Sequence, residues 1–179
     1  LDNAGVVDLP YDLTMNAASA AHTNSGSILL TTGDLSVVQS GTTPSFTNTG
    51  TVATNGRTVT VTNGTLDLSA GLVSGFSGRL VTTGTPTVRF VIATVQPRVT
   101  FSAGTILPDP FIVPANDSLR LLSSSFAPPT LTNNGLFLLE GNSTVTTALT
   151  TGAGSTLRVR GSSAVPALPG AAARGTLSA

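Results

Sequence analysis

A short corner motif recurs along this chain, and it limits the chain to folds built by stacking one small unit on the next. The motif reads Leu1-Asp2-Asn3-Ala4-Gly5-Val6-Val7, His22-Thr23-Asn24-Ser25-Gly26-Ser27-Ile28, Phe46-Thr47-Asn48-Thr49-Gly50-Thr51-Val52 and Leu131-Thr132-Asn133-Asn134-Gly135-Leu136-Phe137. A shortened copy is Val61-Thr62-Asn63-Gly64-Thr65-Leu66. In each full copy Gly follows Asn by two residues, and the residue four after Asn is apolar: Val7, Ile28, Val52 or Phe137. Two residues before Asn stands Leu1, Phe46 or Leu131, with His22 as the exception. An Asn that tolerates the left-handed conformation, followed by a Gly that accepts positive φ, makes a sharp corner between two inward-pointing residues. The expected interior therefore contains Leu1, Phe46, Leu131, Val7, Ile28, Val52 and Phe137.

The Asn residues lie 21, 24 and 15 residues apart, and then 70, close to three further units of about 23. Units of this length, each with short strands and tight corners, bury an inner face only against their neighbours, which is the requirement of a parallel β-solenoid. About eight such coils at roughly 4.8 Å each give a rod on the order of 40 Å long. The interval of 15 does not fit one coil, so Asn63 is expected to mark a second corner.

Local patterning agrees with this. Thr58-Val59-Thr60-Val61-Thr62 and Thr65-Leu66-Asp67-Leu68-Ser69 alternate apolar and polar residues, as strands with one wet face do. Gly, Pro, Asn or a Thr/Ser cluster interrupts nearly every window long enough for a helix, apart from Asp12 to Ala21 and Ala171 to Ala173. With 30 Thr, 19 Ser, 19 Gly and 17 Val the composition favours strands and turns. The expected fold is all-β, a parallel β-solenoid over residues 1–164, with an Ala/Gly/Pro-rich tail or linker at 165–179. Between Pro86 and Pro129 the repeat fades. Pro97, Pro108, Pro110, Pro114, Pro128 and Pro129 gather in an irregular, loop-bearing section at about 97–130, with a loop insertion expected from Leu107 to Asp117.

Eight Arg, no Lys and eight acidic residues give zero formal charge, so no positive field draws nucleic acid or an anionic membrane. The absence of cysteine removes disulfides, thiolate metal sites and a cysteine nucleophile. The chain starts at Leu1, shows no basic-then-apolar leader and has no apolar run of membrane-spanning length, so it is expected to be a processed or partial chain without membrane insertion.

The Asn-x-Gly corner with its flanking apolar positions resembles the repeats of bacterial surface β-helices, namely autotransporter passenger domains and filamentous-haemagglutinin-type adhesins. The resemblance covers about two thirds of the chain. It implies a right-handed parallel β-helix, secretion to the cell surface, and adhesion or scaffolding.

Candidate chemistry is sparse. A Ser-His-acid triad would have to use His22, which occupies a position its sister coils fill with Leu or Phe and is therefore expected on or beside the core. One His and no Cys do not make a zinc site. Gly152-Ala153-Gly154 has Leu157 where a dinucleotide fingerprint needs glycine. Of the acids, only Asp109 and Asp117 share the expected loop, where they would serve as acid and base or hold Ca²⁺, with Arg120 as the nearest cation in sequence. Solvated turn acids explain them as well. Sequons stand at Asn63, Asn116 and Asn142, and Thr58, Thr60 and Thr62 would order water if stacked in flat ranks.

The expectation is a non-catalytic structural or adhesive extracellular module with no catalytic, cofactor-binding or metal residue and no cofactor. Its partners are expected to be identical or neighbouring subunits, and surface glycans. The alternatives are a carbohydrate-active β-helix enzyme, with Asp109 or Asp117 facing a groove beside Arg120, and an ice-binding or filament-forming solenoid with a flat Thr or apolar face.

Overall fold

A computed structural model describes residues 1–101, 105, 107, 110–165 and 176–178. The chain is all-β, and every strand pairing is parallel between one turn of a coil and the next, which makes a β-solenoid of about seven turns. Partners are offset by between 18 residues, as for Leu131 and Leu149, and 24, as for Ile28 and Val52.

Three faces repeat in the N-terminal part. Asp2–Asn3, Ala21–Asn24, Ser45–Asn48, Thr65–Leu68 and Thr87–Phe90 stack as the first. Val6–Asp8, Ser27–Leu29, Thr51–Ala53 and Leu72–Ser74 form the second, extended by a bridge from Val73 to Val95. Leu13–Met15, Leu35–Val38, Thr58–Thr62, Arg79–Thr83 and Arg98–Thr100 form the third. The C-terminal part repeats the scheme. Phe111–Val113, Leu131–Asn133 and Leu149–Thr151 make one sheet; Ser118–Leu122, Leu136–Glu140, Thr156–Val159 and Thr176–Ser178 make another; Ser125–Phe126 and Thr144–Val145 make the last.

Period-two alternation builds the core. In Thr58–Thr62 the two Val side chains are buried and the three Thr side chains are half-buried on the outer surface. Register then places like on like, so that Leu35, Val59, Leu80 and Val99 form one continuous apolar stack inside the third face. Each such side chain contributes roughly 1.5–3 kcal/mol by leaving water. Phe46, Leu131, Ile28, Val52 and Phe137 are buried as expected, and Val7 is half-buried against the same core. Leu1 is not inside: it is 39% exposed at the edge of the stack, where no described turn covers it.

The corner motif works differently from the sequence expectation. Asn3, Asn24, Asn48 and Asn133 are not among the residues with positive φ, nor are Gly5, Gly26, Gly50 and Gly135. The four Asn side chains point inward and are buried. Asn3 Nδ2 donates to Asn24 Oδ1 at 2.7 Å, and Asn24 Nδ2 to Asn48 Oδ1 at 2.7 Å, forming an amide ladder along the coil. Gly is needed for space: a Cβ on Gly26 would lie 2.1 Å from the Gly5 carbonyl oxygen, and one on Gly50 2.1 Å from that of Gly26. Asn63 does mark a second corner, between the third and first faces, and it does take a positive φ, 56°, followed by Gly64 at 58°.

Pro97 falls at the corner before Arg98–Thr100, and Pro110 and Pro114 flank Phe111–Val113. The expected loop from Leu107 to Asp117 thus contains a ladder strand, Phe111–Val113 paired with Leu131–Asn133; its remaining positions 108 and 109 lie outside the described residues. Of the expected tail, Thr176–Ser178 pairs with Thr156–Val159, and residues 166–175 and 179 lie outside the described residues.

One discontinuity interrupts the stack. Thr87–Phe90 and Phe111–Val113 belong to separate sheets, and a 3₁₀ turn, Ile92–Thr94, stands where the second face would place a strand. Aromatic packing bridges the gap. Phe90 stacks on Phe111 with centroids 5.3 Å apart, Phe126 meets Phe111 edge-on at 5.1 Å, and Phe101 closes the ring against Phe126 and Phe90. The backbone bond from Phe101 N to Ser125 O, 3.0 Å, carries the third face across.

Candidate functional site

The discontinuity leaves a run of shallow depressions on the surface. Two of them are lined by Phe76, which stands in the turn Ser74-Gly75-Phe76-Ser77-Gly78, closed by a bond from Gly78 N to Gly75 O at 2.9 Å. Gly75 takes φ 104°, where a side chain would be strained, and a Cβ there would lie 2.4 Å from Thr54 Oγ1. The turn pushes Phe76 outward, and its ring remains 65% exposed.

Phe76, Val95 and Gln96 line a depression of about 170 Å³ together with Asp117, Ser118 and Arg120. Phe76, Gln96 and Arg120 continue into a smaller recess with Pro97 and Arg98, and Asp117 also borders an apolar recess of about 230 Å³ beside Phe90, Phe111 and Ile112. Gln96 is held by accepting a bond from Gly75 N at 3.4 Å through Oε1, which leaves its amide nitrogen for other partners.

The charges are arranged around this strip. Arg79 and Arg98 are direct partners on adjacent turns of the third face, a like-charge pairing that costs stability. Arg120 donates through Nε to Glu140 Oε2 at 2.8 Å, with its terminal nitrogen 2.6 Å away, and Arg160 reaches Glu140 Oε1 at 3.1 Å. The hydrogen bond from Arg120 holds the Glu140 carboxyl below its ordinary range; burial opposes this, and the charges of both arginines add to it. The guanidinium of Arg120 is thereby fixed with half its side chain still in solvent.

Of the residues singled out from sequence, Asp117 and Arg120 do share a depression, whereas Asp109 lies outside the described residues. Asp117 is half-buried and accepts from the backbone nitrogen of its neighbour Ser118 at 2.7 Å. Among the described residues it is the one carboxylate that lines any of these three recesses, and it borders two of them. His22 is buried within the first face, in register with Phe46. Burial pushes its imidazole pKa down, assisted by the N-terminal ammonium 2.8 Å from Nδ1. Asn116 and Asn142 are exposed. The outward rank Thr14, Ser36, Thr60, Val81 and Thr100 runs beside Arg79 and Arg98, so the third face mixes small polar groups with cations.

Phe76 and Gln96 were not legible as site residues. The available signal was a large apolar residue between two Ser-Gly steps, a turn composition that does not bury its side chain. Together the groups offer an aromatic face, amide and guanidinium donors and one carboxylate acceptor. No family model, curated protein or solved structure matches this chain.

Proposed function

We propose that this chain is a non-catalytic structural or adhesive module of the extracellular surface, working within a larger assembly or a longer polypeptide. The observation that carries the reading is the open ladder. Asp2–Asn3, Val6–Asp8 and Leu13–Met15 each pair on one side only among the described residues, and the backbone donors and acceptors of their other side suit a further turn. Such edges recruit strands unless they are covered. Asn3 extends the same logic to side chains, because its Oδ1 faces the position from which a further inward Asn would donate. The complementary turn comes from the same polypeptide or from a neighbouring subunit. Light scattering and negative-stain images of the chain at rising concentration test this: end-to-end particles support it, and a monomer at every concentration overturns it.

A second reading, a carbohydrate-active enzyme, is favoured by Asp117 and Arg120 sharing one depression. It requires Asp117→Asn to abolish a measurable cleavage of polysaccharide.

A further inference from the structure

We propose that the strip around Phe76 binds an acidic saccharide chain, with the Phe76 ring as the stacking platform and the arginines beside it as the anion sites. This rests on the adhesive reading above and names its ligand class. Three features on the same strip point to it.

The first is the platform. An aromatic ring held outward by a turn, with polar groups at its rim, matches the apolar C–H face and equatorial hydroxyls of a pyranose. The Gln96 amide and the Arg120 guanidinium supply donors, and Asp117 supplies the acceptor that a hydroxyl needs. The second is charge. Arg79, Arg98, Arg120 and Arg160 stand against Asp117 and Glu140, a local excess of cations in a chain whose formal charge is zero. The Arg79–Arg98 pairing repels, and an anion between the two guanidinium groups would turn that cost into binding. The third is shape. The recesses are small and open, but they share members: Phe76, Gln96 and Arg120 join two of them, and Asp117 joins a third. A strip of linked shallow subsites suits an extended chain of sugars better than a compact metabolite, which a deeper, more enclosed pocket would hold.

The test is titration calorimetry of the whole chain with uronate-containing, sialylated and sulfated oligosaccharides, their neutral counterparts, and inorganic sulfate. At least one acidic oligosaccharide should bind, more weakly as salt rises, and better than its neutral counterpart and sulfate. Phe76→Ala should weaken it roughly tenfold, and Arg98→Gln should weaken it and flatten its salt dependence. Tyr11→Ala, removing an aromatic that is 83% exposed in another turn, is the control and should leave binding unchanged. Circular dichroism of each variant separates lost binding from lost folding. Binding that survives Phe76→Ala and Arg98→Gln overturns the assignment of the strip while leaving the adhesive reading intact. Neutral sugars or sulfate binding as well as the acidic chain overturns the ligand class. No binding by any probe overturns the proposal, and the assembly measurements judge the module reading separately.

Discussion

Gly5, Gly26 and Gly50 occupy the same corner in three successive turns, yet they differ in what a methyl group would meet. A Cβ on Gly26 or Gly50 collides with the carbonyl of the glycine one turn earlier, whereas a Cβ on Gly5 meets nothing within 4 Å. Gly26→Ala and Gly50→Ala should each cost roughly 1–3 kcal/mol by forcing the turns apart, and Gly5→Ala should stay within about 0.5 kcal/mol. Denaturant melts of the three variants check this, and equal losses would mean the corner depends on glycine φ after all. His22 gives a pH signature at the same scale. Its folded pKa lies below its ordinary 6.5, so the unfolded chain takes up the proton first. Stability is therefore unchanged above about pH 6.5 and falls as pH drops from there toward the folded pKa. His22→Phe, which continues the stack begun by Phe46, should remove that slope in melts between pH 8 and pH 5.

Among elements, the strand Leu136–Glu140 ends in the carboxylate that joins its neighbours on both sides, Arg120 on Ser118–Leu122 and Arg160 just beyond Thr156–Val159. The Glu140 pKa is depressed from 4.5, so the linkage is complete above that pH and lost as pH falls through the folded value. Glu140→Gln should lower stability at pH 7 and flatten the acid limb of the stability profile, because two arginines then face a neutral amide. An unchanged acid limb would place the acid sensitivity elsewhere. The amide ladder shows how far alternation could be read. Phe46 and Asn48 are two residues apart on one strand and so share its inner face, and period two alone places that Asn indoors. Reading Asn as a turn former hid this. Of its hydrogen-bond partners, the Gly50 carbonyl lies two residues on in the same corner, but Asn24 and the Leu72 carbonyl come from the turns on either side and are invisible to any local pattern.

Across the whole molecule, the two stretches of ladder are coupled by the phenylalanine ring and by few backbone bonds, among them Phe101 N to Ser125 O. Solenoid stability is close to a sum of turn and interface contributions, so weakening one interface divides the cooperative unit. Phe126→Ala removes a fully buried ring that contacts both Phe101 and Phe111 and should cost roughly 3–5 kcal/mol. It should also split a single calorimetric transition into two. One sharp transition in the variant would show that the backbone bonds across the gap suffice.

The sequence by itself determined the solenoid, because strand alternation and corner spacing are local and a stacked coil repeats local geometry turn after turn. It also placed Phe46, Ile28, Val52, Leu131 and Phe137 inside, since each lies at a fixed offset from a corner. Tertiary structure decided everything that depends on which turn lies above which. Phe111–Val113 became a strand because Leu131–Asn133 receives it between two corner prolines, and its flanking prolines had suggested a loop. Phe76, Gln96 and Arg120 converge from positions 76, 96 and 120, one residue per turn, on the strip where the ladders break. Register between turns is set by the packing of whole inner faces, and that packing alone brings distant residues to one place.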